Sequence, residues 1–153
     1  MESVAATVID LYRAVHAKMR EEVRGMEADA LNWAPVAETN SVAALVVHTL
    51  GSEAEVLRTV RNVQGERDRD AEFLVQAPDA TDLVRRLDEA DALLADLGGG
   101  ITADDLVTKR HRGERDPETG LYWLVSNYGH AREHLAHLQL TKQLHEARGT
   151  EPS

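Results

Sequence analysis

Three histidines, His130, His134 and His137, fall within a short stretch near the C-terminus of a 153-residue chain that has seven histidines and no cysteine. On a helix His130 and His134 are one turn apart, so their imidazoles project side by side, the usual spacing for two ligands of one metal ion. His137 lies on nearly the same stripe, together with Trp123 and Asn127. Two imidazoles from one helix leave a first-row metal open on most sides, so a third ligand has to come from another element. His48 is the candidate, because it follows the apolar run Ala43-Ala44-Leu45-Val46-Val47, which draws it towards the core. Buried there without a hydrogen-bond partner or a metal, a neutral imidazole would cost roughly 1–3 kcal/mol. Spacing alone also allows a solvated or core-packed histidine patch. His137 reads as a pocket wall or as a residue behind the ligands, and less readily as a ligand. His16, His111 and His145 read as surface residues, and Glu53 and Glu55 as solvated helix carboxylates.

The elements that must position these side chains read as helices. Val4, Val8, Leu11, Val15, Met19 and Val23 repeat by three or four, predicting a first helix from Val4 to about Met26. The segment MEADALNWAPVAE, with Trp33 and Pro35, lacks a period and reads as a connection. A second helix starts at Thr39-Asn40-Ser41, whose side chains can cap free backbone N–H groups, and runs to about Gln64. The stretch after Gly65, ERDRDAEFLVQAPD, is too long for a tight turn and suits a crossover between helices that are not antiparallel neighbours. A third helix follows a cap at Asp79 or Thr81, carries Leu83, Leu87, Ala90, Leu94 and Leu97 on one stripe, and ends at Gly98-Gly99-Gly100. Thr102 to Asp105 has the form of a capping box for one short turn, and TKRHRGE is a polar excursion, hairpin or loop. The last helix is predicted to begin at Asp116-Pro117, a cap followed by proline at the first helical position, and to reach about Ala147. The expected architecture is one all-α domain over residues 1–147, a four-helix bundle with a long crossover between its second and third helices, and a short tail at 148–153. Few aromatic residues and many Leu, Val and Ala suit helix-on-helix packing.

Composition narrows the function. A formal charge of −10, from 17 Lys+Arg against 27 Asp+Glu, opposes a phosphate-tracking surface, so no nucleic-acid partner is expected. The start MESVAATVIDLYR carries acids where an export signal would be basic and then apolar, and the run Val42–Val47 is far short of the roughly 20 residues of a membrane span. A soluble cytoplasmic protein with no membrane partner is the expectation. Without cysteine there is no disulfide, no thiolate ligand and no Cys nucleophile, so any metal must be held by other donors and any thiol must arrive with a ligand.

Leu31-Asn32-Trp33-Ala34-Pro35, followed by Asn40-Ser41-Val42-Ala43-Ala44-Leu45-Val46-Val47-His48-Thr49-Leu50-Gly51-Ser52-Glu53, resembles the second-helix pattern of the DinB-like superfamily of metal-binding four-helix bundles. Gly129-His130-Ala131-Arg132-Glu133-His134-Leu135-Ala136-His137-Leu138 resembles its fourth-helix motif, in which His or Glu is followed four residues later by His. The resemblance spans nearly the whole chain. It implies up-down-down-up connectivity and one divalent ion, zinc or nickel being usual, on His48, His130 and His134. The branch resembling mycothiol-dependent maleylpyruvate isomerase often has Glu where this chain has His130, and other members carry Gly-Gln where this chain has Ala136-His137. The metal site therefore carries over more directly than the reaction.

Three neutral imidazoles leave the ion its charge and an open position, an arrangement that brings the pKa of a bound water or thiol towards neutrality. The expected function is activation of a low-molecular-weight thiol, of the mycothiol or bacillithiol type, or of water, for transfer to or hydrolysis of a small-molecule substrate. No general base is evident from the sequence; His137, Glu53 and Asn127 are the residues placed where one could stand, behind the ligands. The competing reading is a non-catalytic, metal-stabilised bundle that serves as a binding protein or scaffold. Bundles of this kind often pair as homodimers, for which an apolar stripe on the first or third helix would supply the surface.

Overall fold

The computed structural model describes residues 3–150. Four long helices, α1 (Ser3–Val23), α3 (Val42–Arg61), α5 (Ala80–Asp96) and α7 (Gly120–Arg148), form the bundle. Between them lie the short helices α2 (Ala28–Asn32), α4 (Arg69–Glu72) and α6 (Ala103–Val107), a 3-10 turn at Gly98–Gly100, and two two-residue strands, β1 (Lys109–Arg110) and β2 (Glu118–Thr119). Side-chain caps define the helix starts: Ser41 accepts from the Ala44 N–H, Asp79 from Asp82, and Thr102 and Asp105 make the reciprocal capping box of α6.

Cross-helix bonds set the directions. His16 meets Asp91 and Arg20 meets Asp88, so α1 and α5 are antiparallel. Tyr12 bonds to Leu124 and Lys142 to Glu22, so α1 and α7 are parallel. Ser52 meets Asn127 while His48 meets His130, so α3 opposes α7. The bundle is thus up-down-down-up, with α1 and α3 each packed against both α5 and α7 and placed diagonally to one another. Because α3 and α5 run the same way, the chain must return along the length of the bundle between Asn62 and Asp79. That return is the crossover read from the sequence, and it contains α4.

The apolar core is in two halves. One gathers Met19, Val23, Val42, Val46, Leu83, Leu87, Leu135 and Leu138; the other gathers Ile9, Tyr12, Val56, Leu57, Val60, Leu94, Trp123 and Leu124. Between those sets every long helix carries polar residues: His16 on α1, His48, Ser52 and Glu53 on α3, Asp91 on α5, Asn127 and His130 on α7. A polar layer therefore crosses the middle of the bundle, and the histidines of interest belong to it.

Two expectations are corrected here. The last helix begins at Gly120 rather than Asp116-Pro117, because Glu118 and Thr119 pair with Arg110 and Lys109, and the Thr119 hydroxyl then caps the Tyr122 N–H. A side chain at position 120 would also collide with the backbone of Asp105, whose carbonyl carbon would lie 3.1 Å from its Cβ. Glycine is required where α7 leaves the hairpin. The second correction concerns the segment before the second helix, which is not wholly irregular: α2 buries Leu31, and the Asn32 amide exchanges two 2.8 Å hydrogen bonds with the Ala77 backbone, pinning the crossover.

Candidate metal centre

α3 and α7 bring His48, His130 and His134 together. His48 Nε2 is 3.2 Å from His130 Nε2, and His134 Nε2 is 3.0 Å from the same atom; one ligand atom from each residue lies within 4.8 Å of the others. Zinc bonded to imidazole nitrogen at about 2.0–2.1 Å would set a tetrahedral edge of roughly 3.3–3.4 Å, close to these separations. The tautomers point the same way. His48 Nδ1 faces Glu72 Oε1 at 3.0 Å, a closer partner than Arg67 Nη2 at 3.4 Å, so its one proton is assigned to Nδ1, towards the carboxylate, which leaves Nε2 as a lone pair turned inward. His130 Nε2 then confronts two neighbouring ring nitrogens with one lone pair or one hydrogen of its own. A cation among the three removes that conflict, and the all-nitrogen donor set suits a first-row ion rather than magnesium or calcium, which take oxygen.

The electrostatics favour neutral ligands. Burial pushes His48 below the usual histidine range, and the bond to Glu72 only partly opposes it. Burial and the nearby His48 lower His130 as well, and burial with the charges of His130, His48 and His137 takes His134 down to about 4. Imidazoles that resist protonation are already in the metal-binding form at neutral pH.

Glu72 is the contribution of the crossover. Asp68 caps the short α4 by accepting from the Ala71 N–H, and α4 presents Glu72 to His48. Arg67 holds the same carboxylate with two bonds, Nε to Oε2 at 2.9 Å and Nη2 to Oε1 at 2.8 Å. Its third nitrogen, Nη1, reaches Glu55 Oε2 at 3.0 Å, where Arg112 Nε also donates at 2.6 Å. Burial would raise Glu55, but Arg112 and Arg67 outweigh it and hold its carboxyl below the usual range. Phe73, the residue after α4, lays its ring 4.5 Å from that of His48. Gly51, one turn after His48, leaves the space that the Glu72 carboxylate occupies; a Cβ there would overlap Oε2 and lie 2.6 Å from Cδ.

A second chain of bonds sets the floor of the site. Arg112 Nη2 donates to Ser52 Oγ at 2.8 Å, Ser52 donates to Asn127 Oδ1 at 2.6 Å, Asn127 Nδ2 donates to the Tyr12 hydroxyl at 3.0 Å, and Tyr12 donates to the Leu124 carbonyl at 2.8 Å. The order of donors leaves one orientation for the Asn127 amide. Burial pushes the Tyr12 phenol well above its ordinary value, so it stays a donor throughout the accessible pH range.

The remaining sequence candidates separate. Asn127 is buried beside His130 and lines the cavity next to the triad. His137 is exposed, its ring edge-on to that of His134 at 5.7 Å, outside the trio of converging nitrogens. Glu53 is neither solvated nor at the triad. It is 2 % exposed and faces His16 Nε2 at 2.9 Å. His16, expected at the surface, is wholly buried, with Nδ1 2.6 Å from Asp91 Oδ1, because each of its nitrogens finds a carboxylate across the bundle. His111 is exposed, as expected, and His145 rests half-buried against Trp33. Sequence reasoning missed Glu72, Arg67, Glu55 and Arg112 as parts of the site. The concentration of charge in ERDRDAE and TKRHRGE was the available signal for Glu72, Arg67 and Arg112; Glu55, on α3, carried none.

Fold and site together define an antiparallel-and-parallel helical bundle with a three-histidine centre between its second and fourth long helices. The DinB superfamily profile matches residues 11–138, and the chain belongs to that superfamily. The crystal structure of a DinB-like protein from Bacillus subtilis superposes with a TM-score of 0.67 at 16 % identity, covering 95 % of this chain and 93 % of that one. No curated protein matches the chain. Among the described residues no helix is long and apolar enough to cross a membrane.

Proposed function

We propose that the protein is a metal-dependent enzyme acting in the cytoplasm, in which His48, His130 and His134 hold one divalent ion, zinc or nickel, and a low-molecular-weight thiol or water reacts with a small molecule. The observation that carries this reading is the convergence of three Nε2 atoms at 3.0 and 3.2 Å with His48 Nδ1 committed to Glu72. Such an ion, when bound, supplies Lewis acidity and lowers the pKa of a coordinated water or thiol. The chain's own residues do the positioning. Glu72, fixed by Arg67, sets the ring orientation and tautomer of His48 and raises its basicity. Ser52 and Asn127, locked by Arg112 and Tyr12, present a rigid polar wall beside His130 that can orient a bound molecule. Since the chain contains no cysteine, a reacting thiol is a cosubstrate.

Metal analysis of protein purified without an affinity tag should return about one equivalent of tightly bound divalent ion, and less than about half an equivalent would overturn the metal reading. Thiol consumption with a panel of electrophiles should require His48; equal rates in the wild type and His48→Ala would remove the catalytic claim and leave a metal-stabilised scaffold.

A further inference from the structure

Beside the triad lies a cavity of about 150 Å³, bounded by His48 and His130 and by the side chains of Arg67, Arg69, Arg112 and Arg115. Four of the chain's 17 Lys and Arg residues converge there in a protein of net charge −10. The available countercharge does not balance them. Glu72 and Glu55 take up Arg67, and Glu55 also takes Arg112 Nε, but no carboxylate lines the cavity itself. Arg69 stacks on Phe73, 5.1 Å from the ring centroid, and forms no ion pair among the described residues; nor does Arg115. Two of the four guanidiniums are thus ion-paired to two carboxylates, and Arg69 and Arg115 face the cavity without an ion pair among the described residues, next to neutral imidazoles. Arg112 is 8 % exposed, so its charge acts at reduced dielectric, where an anion is worth more than in bulk water. Guanidinium forks match the planar or tetrahedral oxygens of carboxylate and phosphate. The volume admits on the order of five water molecules, which suits the end of a small molecule and not a polynucleotide.

We infer that this arginine cavity is a subsite for the oxyanion end, carboxylate or phosphate, of a small substrate whose reacting end lies at His48, His130 and His134. The inference deepens the metalloenzyme reading and rests on it for the second half of that statement. The two charged segments then act together on one ligand, since the crossover brings Arg67 and Arg69 from one side and the hairpin brings Arg112 and Arg115 from the other.

The test is calorimetric titration of the zinc-loaded and the metal-free protein with succinate, with inorganic phosphate, and with neutral succinamide. Succinate or phosphate should bind and succinamide should not. Arg69→Gln and Arg115→Gln, both exposed and remote from the core, should each weaken anion binding about tenfold while zinc content stays at the wild-type level. Tighter binding of succinate identifies a carboxylate substrate, and tighter binding of phosphate a phosphate ester. Anion binding that persists without metal and still depends on the arginines keeps the subsite even if the metal reading fails. Succinate and phosphate binding no better than succinamide, or equally well to both variants, overturns the subsite whatever the metal content.

Discussion

Gly51→Ala should damage a metal site that it does not touch. A Cβ at position 51 would lie 2.6 Å from the Glu72 Cδ and closer still to Oε2, so the carboxylate must swing out of the notch between α3 and α4. Its 3.0 Å bond to His48 Nδ1 and the paired bonds from Arg67 go with it. Loss of the partner that orients a ligating histidine typically costs 10–100-fold in metal affinity, or about 1.4–2.7 kcal/mol. The helix itself gains about 0.5–1 kcal/mol from replacing glycine with alanine, which offsets part of what the displaced carboxylate loses with Arg67, so the variant should remain folded, and zinc binding should fall more than stability. Competition titration against a chromophoric zinc chelator measures the first, and urea unfolding of the metal-free protein the second. Glu72→Gln should lose about tenfold, because the amide oxygen still accepts from His48 while the charge is gone. The double variant should bind zinc no more weakly than Gly51→Ala alone, since both substitutions act through one carboxylate. Zinc affinity of Gly51→Ala within about twofold of the wild type, or additive losses in the double variant, would refute the account of how His48 is held.

Three other perturbations probe the frame around the site. His16→Leu leaves the buried Glu53 without its partner and should cost about 3–5 kcal/mol in urea unfolding, with His16→Leu/Glu53→Leu recovering part of the loss. Burial alone would lower His16, but its bonds to Glu53 and Asp91 outweigh that and raise it above 6.5, while burial raises Glu53 above 4.5. Both groups hold protons more tightly when folded, so the stability His16 contributes is complete below pH 6.5 and is lost as pH climbs through its folded value. An unfolding midpoint that stays level or rises as pH climbs from 6.5 would contradict this linkage. Gly120→Ala should destabilise by about 1–3 kcal/mol, because the obstacle is the Asp105 backbone rather than a movable side chain; an unchanged midpoint would show that α7 can shift away. Zinc at a hundredfold excess over its dissociation constant should stabilise the folded chain by about 2.7 kcal/mol, and chelator should reverse the gain; no change in midpoint would mean that folded and unfolded chains bind the ion equally.

The helical period alone determined the four long helices, and with them the meeting of His130 and His134, because residues four apart on one helix are neighbours whatever surrounds them. It also carried His48 to the interior, since the apolar run before it has to be buried. The length and polarity of the segment after Gly65 determined that the chain crosses over there. What the period could not reach were groups brought together by unrelated segments. His16 lies on the buried stripe of α1 with Tyr12 and Met19, yet what permits a histidine there is Glu53, 37 residues away, and Asp91, 75 away. Glu72, Arg67 and Arg112 stand on a one-turn helix, a connection and a hairpin, none with a repeat to announce which way a side chain points. Gly120 begins α7 because the hairpin passes too close to α6 for any side chain, a contact that overrides the local preference of Asp116-Pro117 for a helix start. Local hydrogen bonding and apolar period are written along the chain, whereas partners for buried charge are chosen across space, and at this site those partners decide how the histidines are held.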